Sequence, residues 1–268
     1  MLSEEDFLAQ FEFGTLLAKG GFSLIHKAKR KSSQKNLIIK HDYKSWRAND
    51  IPKEIKNLLQ LENKEGIIQM EDFYFPPHRP IWSYYIIFEA PSEKTCSLFD
   101  YISKNGPLTD KLCMHLLKQH LAIQRTVTDA GLLHGDLKAD NLLIASPSMK
   151  LTLIDFNLSM PYHEADSYFT FDGTPMFAPP EWLKKRCFKA KNYIVWTAGI
   201  LLFEMHTNSF PFENEKSILK GNLNWPSTAP VESRLRAIIT RCLDPEPCTR
   251  LTLCQLHAEC RLNEKYNI

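Results

Sequence analysis

The sequence predicts an α+β, bilobal chain: a small five-stranded antiparallel lobe with one helix, followed by a larger, mainly helical lobe. Three observations carry that expectation. Residues 11–41 alternate apolar and polar side chains around a Gly-Gly break, as half-buried strands do. From about residue 98 onward the apolar positions recur at helical spacing. Between them lies EAPSEKTCS (89–97), broken by Pro91, which reads as the hinge. The lobes are then about 1–88 and about 98–268, joined in one domain of 268 residues.

Each element follows in order. The segment 11–41 divides into three short strands. ANDIPKEIKNLLQLEN reads as a helix, with Asp50 near the cap, Pro52 in the first turn, and Ile51, Ile55, Leu58 and Leu59 on one face. IIQMEDFYF and WSYYIIFEA are two further strands separated by the turn PPHRP (76–80). In the second lobe, Thr109 caps a helix carrying Leu112, Leu116, Leu117 and Leu121 and stopping at Gly131. NYIVWTAGILLFEMH is apolar on nearly every side and belongs at the centre of that lobe. Amphipathic stretches near 230–243 and 251–261 complete the pattern.

Composition narrows the function. Thirty-three basic and 31 acidic residues leave a formal charge of +2, so no overall field points to nucleic acid or an anionic membrane. Seven cysteines, an odd number without a CxxC pair, argue against a disulfide framework or a zinc site. The start, MLSEEDFLAQ, lacks the layout of a signal peptide, and the longest strongly apolar run, YIVWTAGILLF, is too short to span a bilayer. The expectation is a cytoplasmic monomer, with the nucleus also open.

The chemistry concentrates in HGDLKADN (134–141), which follows the long helix and precedes the strand NLLI. A second short strand, LTLI, ends in DFN (155–157). Paired as a hairpin, the two strands would bring Asp136, Asn141 and Asp155 to the same ends. Carboxylate and amide oxygens suit Mg²⁺, which takes hard oxygen ligands and shares its shell with phosphates. A separate carboxylate at Asp136 could orient a hydroxyl and accept its proton. Lys138, two residues on, could meet negative charge on a transferring phosphoryl group. Each residue also has a plainer reading. Lys40 could be a surface strand lysine, Glu54 a complement to a helix N-terminus, and Asp136, Asn141 and Asp155 turn formers. His134, on an apolar flank, reads as a packed core histidine.

These motifs resemble those of the protein kinases. HGDLKADN is similar to the catalytic loop, DFN to the metal-binding DFG, APPE (178–181) to APE, and IIK (38–40) to the end of the strand carrying the phosphate-binding lysine. The likeness runs in order from about residue 14 to 260. Within the kinases, LLAKGGFSLIHKA, LFDYI, LIDFNLSM, FDGTPMFAPPEW and VWTAGILLFEM…FPFENE resemble the PIM serine/threonine family. The resemblance implies an ATP- and Mg²⁺-dependent serine/threonine kinase acting on proteins. Asp136 would be the catalytic base, Lys138 the γ-phosphate partner, and Asn141 and Asp155 the metal ligands. Lys40 would hold the α/β-phosphates and pair with Glu54. Leu17, Ala18, Gly20, Gly21, Ile25, Ile38, Glu89 and Leu143 would line the nucleotide site. Glu181 would form a structural ion pair with Arg250. Lys138 and Thr174 fit the serine/threonine pattern. A preference for basic substrates would rest on Asp100, Asp140, Glu204 and Glu213, although Ser97 and Ala139 replace other acidic positions.

Four features depart from the family pattern. The glycine loop reads Ala18, Gly20 and Ser23, with an additional Gly21. Ile38 replaces the alanine over adenine and could crowd the base at a cost of about 1–3 kcal/mol. Gly135 replaces the arginine of HRD, so control through that arginine and an activation-loop phosphate is not expected. Asn157 replaces the DFG glycine, where Asn tolerates unusual φ. At the hinge, Pro91 has no N–H to give adenine. The altered loop and Ile38 leave a rival open, a pseudokinase acting as a binding scaffold. The intact ionic set favours the enzyme. The basic run KKRCFKAK (184–191) reads as a solvated face, with nuclear import or docking as the alternative. With no room left for a regulatory domain, control is expected through expression or partners.

Overall fold

The computed structural model describes residues 3–43, 51–76, 83–165, 167–227 and 234–266. It clusters into two compact units, Met1–Glu93 and Lys94–Ile268. Asp50, residues 77–80 of the expected turn and residues 230–233 lie outside the described residues.

The first unit is built on one five-stranded antiparallel sheet. Its elements are α1 (Glu4–Ala9), β1 (Phe11–Lys19), β2 (Ser23–Arg30), β3 (Asn36–Asp42), α2 (Lys53–Gln60), β4 (Met70–Tyr74) and β5 (Tyr84–Glu89), and the sheet order is β1-β2-β3-β5-β4. Phe11, Leu37, Ile39, Tyr85 and Ile87 pack with Phe7 of α1 into one buried face, but the expected alternation fails along β1, which is exposed at every position after Phe11. Helix α1 is an addition to the expected layout. Ser3 caps it by accepting from the Asp6 N–H at 3.0 Å, and Phe7 stacks on Tyr74 with ring centroids 4.1 Å apart.

Helix α2 corrects the expected buried face. Pro52 is its N-cap rather than part of its first turn, so Ile51 precedes the helix and is exposed. Leu59 is exposed too, and Glu54, Ile55, Asn57 and Leu58 are buried instead. The helix turns its only acidic first-turn residue inward, because a partner waits there.

The second unit opens with β6 (Lys94–Ser97), so the last four residues of the expected hinge form a strand. Then come α3 (Leu98–Asn105), α4 (Asp110–Asp129), β7 (Leu132–Leu133), β8 (Leu142–Ser146), β9 (Leu151–Leu153), β10 (Met160–Pro161) and β11 (Ser167–Tyr168). The chain continues through α5 (Pro180–Lys185), β12 (Phe188–Lys189), α6 (Ala190–Thr207), α7 (Glu215–Lys220), α8 (Arg234–Cys242) and α9 (Leu253–Tyr266). Thr109 caps α4 by accepting from the Leu112 N–H at 3.3 Å, and Gly131 after its end takes a φ of +79°. Strands β6, β8 and β9 form one antiparallel sheet, β10 pairs with β7, and β11 with β12. Helix α6 is buried along nearly its whole length, as its uniform apolarity requires. Among the described residues, no helix is long and apolar enough to cross a membrane.

Candidate active site

In the first unit, Lys40 projects from β3 and Glu54 from α2. The ammonium donates to both carboxylate oxygens, at 2.7 and 2.8 Å. Lys40 is only 7% exposed and Glu54 1%, so each charge is held by the other in a region of low dielectric. The surface reading of Lys40 and the helix-complement reading of Glu54 therefore fail on burial. Ile38 sits half-buried two residues earlier on β3, opposite Lys27 of β2 and Phe88 of β5. Ile25 is opposite Lys40 on β2.

Leu17 and Ala18 lie on the exposed part of β1, and Gly20 and Gly21 form the turn into β2. The Gly20 N–H donates to the Ser23 carbonyl at 2.8 Å. A Cβ on Gly21 would meet nothing within 4 Å, so that glycine leaves open space at the turn. Glu89 ends β5 with its side chain exposed, bonded to Lys35 at 2.9 Å.

In the second unit, the hairpin of β8 and β9 pairs Leu142 with Leu153, and the Ile154 N–H donates to the Asn141 carbonyl at 3.0 Å. This brings HGDLKADN and DFN together, as the spacing of the two strands suggested. Leu143, half-buried, follows Asn141 on β8.

The Asp136 carboxylate is the focus of the loop. One oxygen accepts from the Thr174 N–H at 3.0 Å and the Thr174 hydroxyl at 2.8 Å. The other meets Lys138 Nζ at 2.9 Å and Asn141 Nδ2 at 3.1 Å. Lys138 also donates to the Thr174 hydroxyl at 2.9 Å, closing a three-residue ring. Burial pushes the Asp136 carboxyl up, but Lys138 and the two Thr174 donors outweigh it and hold the group below the ordinary carboxylate range. Asp136 is thus ionised and oriented, which a turn former alone would not need.

His134 is fully buried, with Nδ1 accepting from the Asp136 N–H at 3.3 Å. Nε2 therefore carries the proton and donates to the Ile154 carbonyl at 2.9 Å. Burial lowers its pKa, and the neutral ring rests edge-on against Phe156. The packed-core reading of His134 stands, with the added task of tying the loop to the strand before DFN.

The unusual backbone at DFN falls on Asp155 and not on Asn157. Asp155 has φ +64° and ψ +74°, and Asn157 lies within a 3-10 turn, so tolerance for positive φ is not what Asn157 supplies. Asn141 spends its amide N–H₂ on the main-chain and side-chain oxygens of Asp136, which leaves its carbonyl oxygen for another partner. That oxygen and the exposed Asp155 carboxylate are hard donors from adjoining strand ends and fit Mg²⁺. Among the described residues no group of three His, Cys, Asp or Glu side chains could hold a metal by itself. A Mg²⁺ bound by two protein groups together with phosphates does not call for one.

Sequence reasoning missed three supports of this loop. Thr174 was read as a marker of type, but it bonds directly to both Asp136 and Lys138. Tyr193 of α6, fully buried, accepts from the Leu137 N–H at 3.3 Å. Gly135 has φ +84°, and a Cβ there would run into the Leu158 carbonyl. The only local signal for the last was the glycine itself.

Away from the loop, Arg250 donates to both oxygens of Glu181, at 2.9 and 2.7 Å, with both residues buried. Its guanidinium lies 4.9 Å from the centroid of Trp196. In the basic run, Phe188 and Ala190 are buried, while Lys184, Lys185, Arg186, Lys189 and Lys191 are exposed.

The family model described as the protein kinase domain matches residues 11–260. The chain belongs to the protein kinase family. This kinase chain is 29% identical to the serine/threonine-protein kinase pim-2 of Danio rerio, over 94% of this chain and 84% of that protein. It is 27% identical to the serine/threonine-protein kinase prk-2 of Caenorhabditis elegans, over 92% of this chain and 57% of that protein. Sperm motility kinase 2B of Mus musculus is 28% identical, over 94% of this chain and 51% of that protein. The kinase is of the serine/threonine type, a family that works with ATP and Mg²⁺.

Proposed function

We propose that this chain transfers the γ-phosphate of ATP to serine or threonine hydroxyls of proteins, with PIM-like preference for basic substrates. The observation that carries the reading is the Asp136 carboxylate, kept ionised and aimed by Lys138, Thr174 and Asn141. Asp136 orients the substrate hydroxyl and takes its proton as the hydroxyl oxygen bonds to the γ-phosphorus and the bond to the β,γ-bridging oxygen breaks, releasing ADP. Lys138 offsets charge on the phosphoryl group. Lys40, fixed by Glu54, holds the nucleotide phosphates, and Leu17, Ala18, Gly20, Gly21, Ile25, Ile38, Glu89 and Leu143 line the nucleotide site. Mg²⁺ held by Asn141 and Asp155 supplies charge neutralisation on the phosphates. The paired Lys40 and Glu54 support the enzyme over the scaffold.

The basic preference rests on Asp100, Asp140, Glu204 and Glu213, and Glu204 gives it the most support. Its Oε2 is shielded and finds no hydrogen-bond partner among the described residues. Burial and the nearby Asp140 push the carboxyl up to about 8. A substrate guanidinium arriving there would meet an acceptor that nothing else satisfies. The reading extends to a monomer in the cytosol or nucleus, with the N-lobe at about 1–88, the hinge at about 89–97 and the C-lobe at about 98–268.

The test is phosphate transfer from labelled ATP to paired arginine-rich and acidic Ser/Thr peptides. Wild type is compared with Asp136→Asn, in Mg²⁺ and in chelator. Transfer that needs Asp136 and metal and favours the arginine peptides is expected. No transfer from folded protein would return the scaffold, and equal rates on both peptides would remove the basic preference.

A further inference from the structure

A cavity of about 840 Å³ lies wholly within the second unit, between α4, α9, the start of α6 and Tyr162. Its size falls within the range of small-molecule sites, roughly 300–1,000 Å³. Its lining includes Lys118, Arg125, Lys191, His257 and Arg261 and, among the described residues, no acidic one. Leu121 and Ile194, both buried, supply an apolar floor.

Gln124 points to a ligand independently of the charges. It lines the cavity, is 2% exposed, and neither its amide oxygen nor its amide nitrogen has a hydrogen-bond partner among the described residues. A buried amide left unsatisfied costs about 1–3 kcal/mol, so such a group calls for a partner. Two of the cations around it, Arg125 and Lys191, are committed only to surface pairs. Arg125 meets Asp129 at 3.5 Å with both side chains exposed, and Lys191 meets Glu164 at the surface. Surface pairs of this kind contribute about 0–1 kcal/mol, so either cation can turn to a better acceptor. Between Arg125 and Arg261 the His257 imidazole, half-buried, has its pKa lowered by burial and by both guanidiniums, which marks the positive potential at that spot.

We infer that this cavity binds a small organic anion, its apolar body on Leu121 and Ile194, its anionic head among Arg125, His257 and Arg261, and a polar edge paired with Gln124. The site is separate from the phosphotransfer residues and does not depend on that chemistry.

The test is a fluorescence titration of the full chain with 8-anilinonaphthalene-1-sulfonate, an apolar aromatic body bearing one anionic group. One saturable site that persists in saturating MgATP is expected. Arg125→Glu combined with Arg261→Glu, both at exposed positions, should weaken it at least about tenfold. The uncharged analogue 1-anilinonaphthalene should bind more weakly than the sulfonate. Leu253→Trp, which narrows the cavity from a half-buried wall, should weaken binding and serves if the double variant does not fold. No saturable binding, displacement by MgATP, equal affinity in the variants, or equal affinity for the uncharged analogue would each overturn the site.

Discussion

Thr174 bonds twice to one oxygen of Asp136, through its N–H at 3.0 Å and its hydroxyl at 2.8 Å. The hydroxyl in turn accepts from Lys138. Thr174 therefore sets the direction of the carboxylate and holds the ammonium beside it. Hydrogen bonds to charged groups contribute roughly 1.5–3 kcal/mol. Thr174→Ala should lower kcat about 10- to 100-fold, with a smaller change in the KM for ATP. Thr174→Ser should recover most of the loss. Steady-state kinetics of the three proteins decide it, and an unchanged kcat in Thr174→Ala would remove Thr174 from the mechanism.

Glu54→Gln takes the Glu54 charge away from the buried Lys40 ammonium. Breaking a buried pair from one side costs about 3–5 kcal/mol. The midpoint of urea unfolding should fall, and the thermal shift produced by MgATP should shrink. An unchanged midpoint would mean that the pair adds nothing to the fold.

Gly135 occupies a left-handed φ, and a side chain there meets the Leu158 carbonyl. Gly135→Ala should cost at least about 1 kcal/mol from the backbone alone. Gly135→Arg should destabilise more and should not install control by an activation-loop phosphate. Phosphatase-treated wild type should keep its rate. Protein that is inert until phosphate returns to Ser167, Tyr168 or Thr170 would contradict this.

Glu204 makes stability depend on pH. Its carboxyl stands at about 8 in the fold against 4.5 when unperturbed, so the folded state binds the extra proton. The stability tied to that proton is present below about 4.5 and lost as pH rises to about 8. His120 acts in the opposite sense, because burial lowers it to about 4 from 6.5 and stability is lost as pH falls through that window. Glu204→Gln should flatten the alkaline side of the profile alone, measured as melting temperature from pH 5 to 9. In the wild type, the KM for arginine-rich peptides should fall as pH approaches 8, since the guanidinium needs the carboxylate.

Ile38→Ala tests the crowding expected over the nucleotide. Relief of about 1–3 kcal/mol of overpacking would tighten MgATP by roughly 5- to 150-fold. Titration calorimetry reads this directly, and equal affinities would clear Ile38.

The five strands of the first sheet, the Thr109 cap, the buried α6 and the β8–β9 hairpin were legible, because each follows from local periodicity or a short-range hydrogen bond, whereas α1 and β6 were not. The resemblance to the protein kinases brought out the ionic residues Lys40, Asp136, Lys138, Asn141 and Asp155, although Lys40, Asp136, Asn141 and Asp155 each had a plainer reading taken singly. Burial was less legible. Ile51 and Leu59 looked like core and are exposed, because where α2 starts and which way it faces depend on the partner that Glu54 finds in Lys40. The strained residue at DFN was assigned to Asn157, yet the left-handed backbone is at Asp155, since turn geometry is set by the strands that enter it. Thr174 stands 38 positions from Asp136 and Tyr193 stands 56 from Leu137, distances over which no periodicity carries information. Sequence by itself determined which elements form and which charges are available. Tertiary structure decided which side chains those charges meet, because contacts between distant segments exist only once the intervening chain has packed.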